Sequence, residues 1–196
     1  MKQEITKRQL EIISAAGKIL SASGVSGLTI KNLAKEMGFS ESAIYRHFTS
    51  KEQIILAMLD YLVDNMDGRY TKAISSELNP EQQFIALFQT QFSFFHHNPH
   101  FIVAVFSDGL MEESEQINST IHKIMAVKMK HLKPIIQKGQ ESQVFTSELS
   151  SEDLIHIIMG SIRLKMYKWR LANFQLDSIK EGDHLIHSLL TLIKTR

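Results

Sequence analysis

Apolar side chains return every three or four residues along almost the whole chain, and nowhere do apolar and polar positions alternate for long. A period near 3.6 turns one face of a helix toward a core, whereas a half-buried strand needs a period of two, so the pattern predicts an all-α protein. Only three prolines and nine glycines interrupt it. Helix starts are marked by a Ser or Asn, often with an acid or Gln three residues on, because the free N–H groups of a first turn need an acceptor. Such marks stand at Ser50 with Gln53, Asn79-Pro80 with Gln82, Asn98-Pro99, Ser150 with Asp153 and Ser178 with Glu181. They predict helices over about 4–21, 30–37, 41–48, 51–66, 80–97, 99–107, 112–138, 151–171 and 179–194. Pro134 falls inside the seventh, where loss of one N–H predicts a bend rather than a break.

Composition narrows the class further. With 196 residues, 43% hydrophobic and 22% charged, the chain has the proportions of a globular protein. Its formal charge of +1 hides an asymmetry: residues 1–51 carry eight Lys+Arg against four Asp+Glu, while residues 52–196 carry 14 against 17. A basic head of net +4 is cancelled by a body of net −3. The absence of cysteine excludes a disulfide scaffold, a thiolate zinc site and a cysteine nucleophile, and accords with a cytoplasmic protein. The first twenty residues mix Glu, Lys and Arg with apolar ones, unlike a secretion signal. The longest apolar run, Phe101 to Phe106, is six residues, far short of the roughly 20 that cross a bilayer as a helix. No membrane partner is expected.

Residues 29–48, TIKNLAKEMGFSESAIYRHF, read as two short helices joined by a tight turn at Gly38, a helix-turn-helix. Leu33, Ala34 and Met37 would face inward, met by Phe39, Ala43, Ile44 and Phe48. If the second helix enters a major groove of double-stranded DNA, its exposed N-terminal residues lie nearest the base edges. Ser42 and Arg46 are then base readers, Glu41 is an acceptor for a cytosine amine or simply a first-turn acid, and Lys31 reaches a guanine edge or a phosphate. Tyr45 and His47 offer donors to phosphate oxygens, Thr29 and Ser40 cap helices that aim N–H groups at the backbone, and Lys51 adds a cation. Ala43 belongs to the same DNA-facing set.

The run from Leu28 through Leu-Ala-Lys-Glu-Met-Gly-Phe-Ser to Ala43-Ile-Tyr-Arg-His-Phe and Ser50-Lys-Glu-Gln resembles the DNA-binding domain of the TetR family of bacterial transcriptional regulators, over about residues 8–60. Tyr45, His47, Phe48 and Lys51 stand where that family usually has Tyr, His or Tyr, Phe and Lys, and the resemblance implies phosphate contacts for the Tyr, His and Lys. Phe39 stands where the family more often has Val. The resemblance implies a homodimer reading a near-palindromic operator, with a helix-turn-helix domain at 1–50 and a helical regulatory domain at 51–196 that binds a small molecule and releases DNA. No cofactor is expected.

Seven of eleven phenylalanines fall between residues 84 and 106, and seven of nine methionines lie beyond residue 51. They can fill a helical core or line an apolar effector cavity, for which Phe88, Phe92, Phe95, Met111, Met125, Met129, Tyr167 and Trp169 are candidates, with Ser107, Asp108 and His131 as polar groups to orient the effector. The helix at 151–171 is apolar nearly all round and so must be covered on more than one side. Ile155, Ile158, Met159, Gly160 and Ile162, with Leu185, Ile186, Leu189, Leu190 and Ile193 of the last helix, are expected to form a four-helix dimer interface. Clustered His96, His97 and His100, and the pair His184 and His187, read as helix-surface or boundary residues rather than metal ligands. An enzyme using Asp108 with His96 or His97, a protein adaptor, and a regulator without an inducer are the competing readings; no nucleophile elbow, phosphate loop or metal motif supports the first.

Overall fold

The computed structural model describes residues 5–106 and 114–195. Among them run α1 (Lys7–Gly27), α2 (Ile30–Met37), α3 (Glu41–Tyr45), α4 (Lys51–Ala73), α5 (Pro80–His97), α6 (His100–Val105), α7 (Glu115–Glu141), α8 (Ser151–Leu171) and α9 (Ser178–Ile193). The all-α expectation holds. Local signals explain most boundaries. Thr6 and Gln9 form a reciprocal capping box at the start of α1, and Asn79 with Gln82 forms another ahead of Pro80 in α5. Gly24, at φ 65°, breaks the helical backbone near the end of α1. Ser150 accepts from Asp153 N–H and starts α8.

Several boundaries differ from the sequence expectation for identifiable reasons. The cap of α9 is Asp177, whose carboxylate accepts from the N–H groups of Ile179 and Lys180, while Ser178 is buried in the first turn. Asn98 does not cap α6; its side-chain amide donates to Phe94 carbonyl and finishes α5 instead. The stripe of Leu59, Leu62 and Met66 continues to buried Tyr70, which carries α4 on to Ala73. α7 runs through Pro134 to Glu141 without a break. α3 stops at Tyr45, and residues 46–47 form a turn that brings Phe48 back into the core.

The chain packs as two compact units, one of residues 1–64 with 99–124 and the other of residues 65–98 with 125–196. α4 and α7 each contribute to both. These packing units do not coincide with the division at residue 50 expected from the sequence.

In the first unit, α1 buries Ile12, Ile13, Ala16 and Leu20 against α2 and α6. Gly17 lets α6 come close: a Cβ there would stand 2.6 Å from the His100 ring. In the second unit α5 lies against α9, where Gly182 makes room for the Phe92 ring, and Gly139 in the last turn of α7 lies beneath the ring of Phe145. Phe145 pairs with Lys194 in an isolated antiparallel bridge, with Thr146 N–H donating to Ile193 carbonyl at 2.7 Å. No described helix is long and apolar enough to cross a membrane.

Candidate functional site

The helix-turn-helix is assembled from short-range interactions. Thr29 Oγ1 accepts from Asn32 N–H at 3.1 Å, and the Asn32 amide donates to Gly27 carbonyl at 2.8 Å, fixing the entry to α2. Gly38 closes α2 at φ 67°, ψ 31°, a left-handed conformation in which a Cβ would be strained. Phe39 N–H then bonds Ala34 carbonyl at 2.9 Å, and Ser40 Oγ accepts from Ala43 N–H at 3.3 Å to start α3. Leu33, Ala34, Ile44 and Phe48 form the small core beneath.

With Ile44 pointing inward, the outer side of this corner is set. Thr29, Lys31, Ser40, Glu41, Ser42, Tyr45, Arg46 and His47 are all exposed, while Ala43 and Lys51 are half-buried. The two serine hydroxyls, Ser40 and Ser42, lie 2.9 Å apart and bond each other. Gln53 Oε1 accepts from Thr49 N–H at 2.9 Å and Gln53 N–H donates to Ser50 Oγ at 3.1 Å, which anchors the first turn of α4 and with it Lys51. One expectation fails here. Phe39 does not join the core; it is 37% exposed, with the Arg8 guanidinium 5.0 Å from its ring centre.

The arrangement is a rigid corner presenting cations, hydroxyls and a phenol over a few turns of helix, the chemistry that contacts phosphate oxygens and base edges. Residues 12–58 match the family model of bacterial regulatory proteins, tetR family, and residues 80–168 match the model of the tetracyclin repressor-like C-terminal domain, together more than two thirds of the chain.

The chain belongs to the TetR family. It is a DNA-binding transcriptional regulator of the kind that dimerises. It is 22% identical to a nucleoid occlusion factor SlmA of Photobacterium profundum over 91% of this chain and 92% of that protein. In fold it is similar to the ketosteroid transcriptional regulator KstR2 of Mycobacterium tuberculosis, with a TM-score of 0.84 and 20% identity over 98% of each chain. It is also similar to FadR from Bacillus subtilis, solved in complex with stearoyl-CoA, with a TM-score of 0.78 and 17% identity over 93% of this chain and 97% of that one.

The residues expected at an effector cavity of this family member separate into three groups. Phe88, Phe92, Phe95 and Trp169 are buried in the second unit, and Phe92 and Trp169 share a cavity of about 110 Å³ with Lys165, Met166, Leu176 and Ser178. Met125 and Tyr167 are half-exposed on the surface and lie outside that cavity, and Met129 is half-buried. Ser107, Asp108 and Met111 lie outside the described residues. A larger groove of about 690 Å³, between the 143–149 loop and the end of α9, contains none of the expected residues.

His131 is placed by a partner far away in sequence. Its Nε2 lies 2.7 Å from Asp67 Oδ1, and Lys130 Nζ bonds both oxygens of the same carboxylate at 2.9 and 3.0 Å. The hydrogen bond from His131, then that from Lys130, holds the Asp67 carboxyl below its usual range. Buried Tyr70 lies edge-on to the His131 ring and donates to Gln91 Oε1 at 2.9 Å. Sequence reading missed Tyr70 and Gln91, although a Gln on the apolar stripe of Phe84, Leu87, Phe88 and Phe95 was the available signal.

The residues expected at a dimer surface divide by exposure. Ile155, Ile158, Ile162, Ile186, Leu189, Leu190 and Ile193 are buried by their own chain, and Met159 and Leu185 are half-buried. Of that set only Gly160 is exposed, and a Cβ there would meet nothing within 4 Å. Around it on the same face of α8 stand Ile157, Leu164, Tyr167 and Leu171, exposed by 46, 60, 46 and 65%. The histidines are used locally: His96 bonds Ser178 Oγ at 3.0 Å and His97 bonds Ser93 carbonyl at 2.8 Å.

Proposed function

We propose that this regulator is a homodimeric repressor that reads a near-palindromic operator and is released from it by a small, largely apolar effector. The observation that carries the reading is the exposed row Tyr45-Arg46-His47 fixed over buried Ile44 and Phe48, with Lys51 beside it. Two heads per duplex double the phosphate contacts, which a basic head of net +4 needs for useful affinity. The apolar stripe of α8 is the surface we assign to the second copy, and it supplies the coverage that four exposed large side chains require. Likeness to a ketosteroid regulator and to a regulator bound to stearoyl-CoA supports an apolar effector acting on the second unit. An effector does this only by binding the DNA-competent and DNA-incompetent states unequally. We assign the protein to the cytoplasm and give it no catalytic role.

Selection of bound sites from random DNA, followed by titration against salt, tests the reading. Tyr45→Phe and Lys51→Ala should weaken binding to all sequences, Lys51→Ala with a shallower salt slope, whereas Arg46→Ala should change the preferred base. Uniform weakening by Arg46→Ala would make that residue a phosphate clamp instead. Likeness to a nucleoid occlusion factor favours a second reading, a DNA-binding regulator with no small-molecule effector. Operator binding unmoved by any apolar ligand would decide for it.

A further inference from the structure

The second unit holds two polar pairs side by side. Asp67 of α4 meets His131 of α7 at 2.7 Å close to the surface, Tyr70 of α4 donates to Gln91 of α5 at 2.9 Å in the interior, and the Tyr70 and His131 rings touch edge-on between them. Gln91 is 2% exposed and its Nε2 has no hydrogen-bond partner among the described residues. The direction of the amide follows from Tyr70. Burial raises the pKa of that phenol, so its hydroxyl is a donor that must find an acceptor, and Gln91 Oε1 is the one present. Turning the amide over would pair Nε2 with the phenol oxygen but leave both the phenol hydrogen and Oε1 unsatisfied. Nε2 is therefore the group left over, and a buried amide N–H without an acceptor disfavours the structure that holds it by roughly tenfold to a hundredfold.

We propose that Gln91 Nε2 is the polar anchor of the effector site, and that the effector is an apolar molecule with an uncharged carbonyl oxygen that accepts from it; the proposal rests on the effector-responsive reading above. The surroundings select this chemistry. Phe88 and Phe95, one turn to either side of Gln91 on α5, are buried and apolar, and match a hydrocarbon body. Lys130 is bonded to Asp67 and the Arg69 guanidinium lies 3.4 Å from the centre of the Phe94 ring, and beside a buried, uncharged amide a neutral acceptor satisfies Nε2 without the cost of burying a carboxylate. A hydrocarbon lacking the carbonyl leaves Nε2 unsatisfied and gains nothing from the site's polar group.

The test uses the full-length protein without DNA and 2-nonanone labelled with ¹³C at the carbonyl, with affinity read by calorimetry and hydrogen bonding by infrared difference spectra. The wild type should bind the ketone with its carbonyl band below the frequency in hexane. Gln91→Met should weaken binding by roughly fivefold to tenfold and return the band to the free frequency. The double variant Tyr70→Phe/Gln91→Met removes both polar partners at similar volume, so it should fold with wild-type thermal stability and still lose the shifted band. A free-frequency band in the wild-type complex, equal affinity of Gln91→Met, or no binding of the ketone at its solubility limit would each overturn the assignment, the first meaning that water serves Nε2. Failure of the regulator reading is distinguishable, since it appears as absence of operator binding by the wild type in an assay that contains no ketone.

Discussion

His100 gives the first unit a built-in sensitivity to acid. Its imidazole packs against Gly17 where α6 meets α1, and burial holds its pKa down to about 4, against 6.5 for a free histidine. The unfolded chain therefore binds a proton on this residue more readily than the folded one between those two values, and stability falls as the pH drops from about 6.5 to about 4. The full shift of the pKa corresponds to roughly 3 kcal/mol, of which linkage places about 2 kcal/mol at pH 5; partial exposure of the ring lowers the expected loss to roughly 1–2 kcal/mol. Urea unfolding followed by circular dichroism at pH 7 and pH 5, for the wild type and for His100→Gln, isolates this contribution because the other histidines are common to both. The wild type should lose roughly 1–2 kcal/mol more than the variant over that interval. Equal losses, or a proton NMR titration of His100 with a midpoint near that of a free histidine, would refute the argument that the ring is folded in its neutral form.

Two further outcomes follow from the geometry. Gly38→Ala puts a Cβ on a left-handed residue at φ 67°, which should destabilise the helix-turn-helix by about 1 kcal/mol and lower DNA affinity without altering the order of preferred sites, read by thermal melting and DNA titration. Leu164, 60% exposed at the middle of the α8 stripe, should be replaceable by Glu without loss of helicity, while the protein sediments as a monomer at micromolar concentration. A Leu164→Glu dimer of undiminished affinity would remove this stripe from the interface.

The helix-turn-helix was legible because its determinants are local. Thr29, Gly38 and Ser40 act on backbone groups within a few residues, and Leu33, Ala34, Ile44 and Phe48 close a core within one short segment. Phe39 was misread as core because hydrophobicity states what a residue would gain by burial, not whether Arg8, thirty-one positions earlier, covers its ring on the surface. The same limit governs the start of α9: Ser178 and Asp177 both offer cap oxygens, and burial of Ser178 beside His96 leaves the role to Asp177.

By itself, then, the sequence determined an all-α chain, the order of its helices and the basic corner that belongs to a TetR-family DNA reader, since period, caps and turn residues are properties of neighbours along the chain. Only the tertiary structure decided which half of the apolar circumference of α8 the chain covers itself, leaving Ile157, Leu164, Tyr167 and Leu171 outside and enclosing Ile155, Ile158 and Ile162. It also decided that Asp67 meets His131 and Tyr70 meets Gln91. Burial and pairing of this kind are sums over helices distant in sequence, and no periodicity within one helix records what the others bring to it.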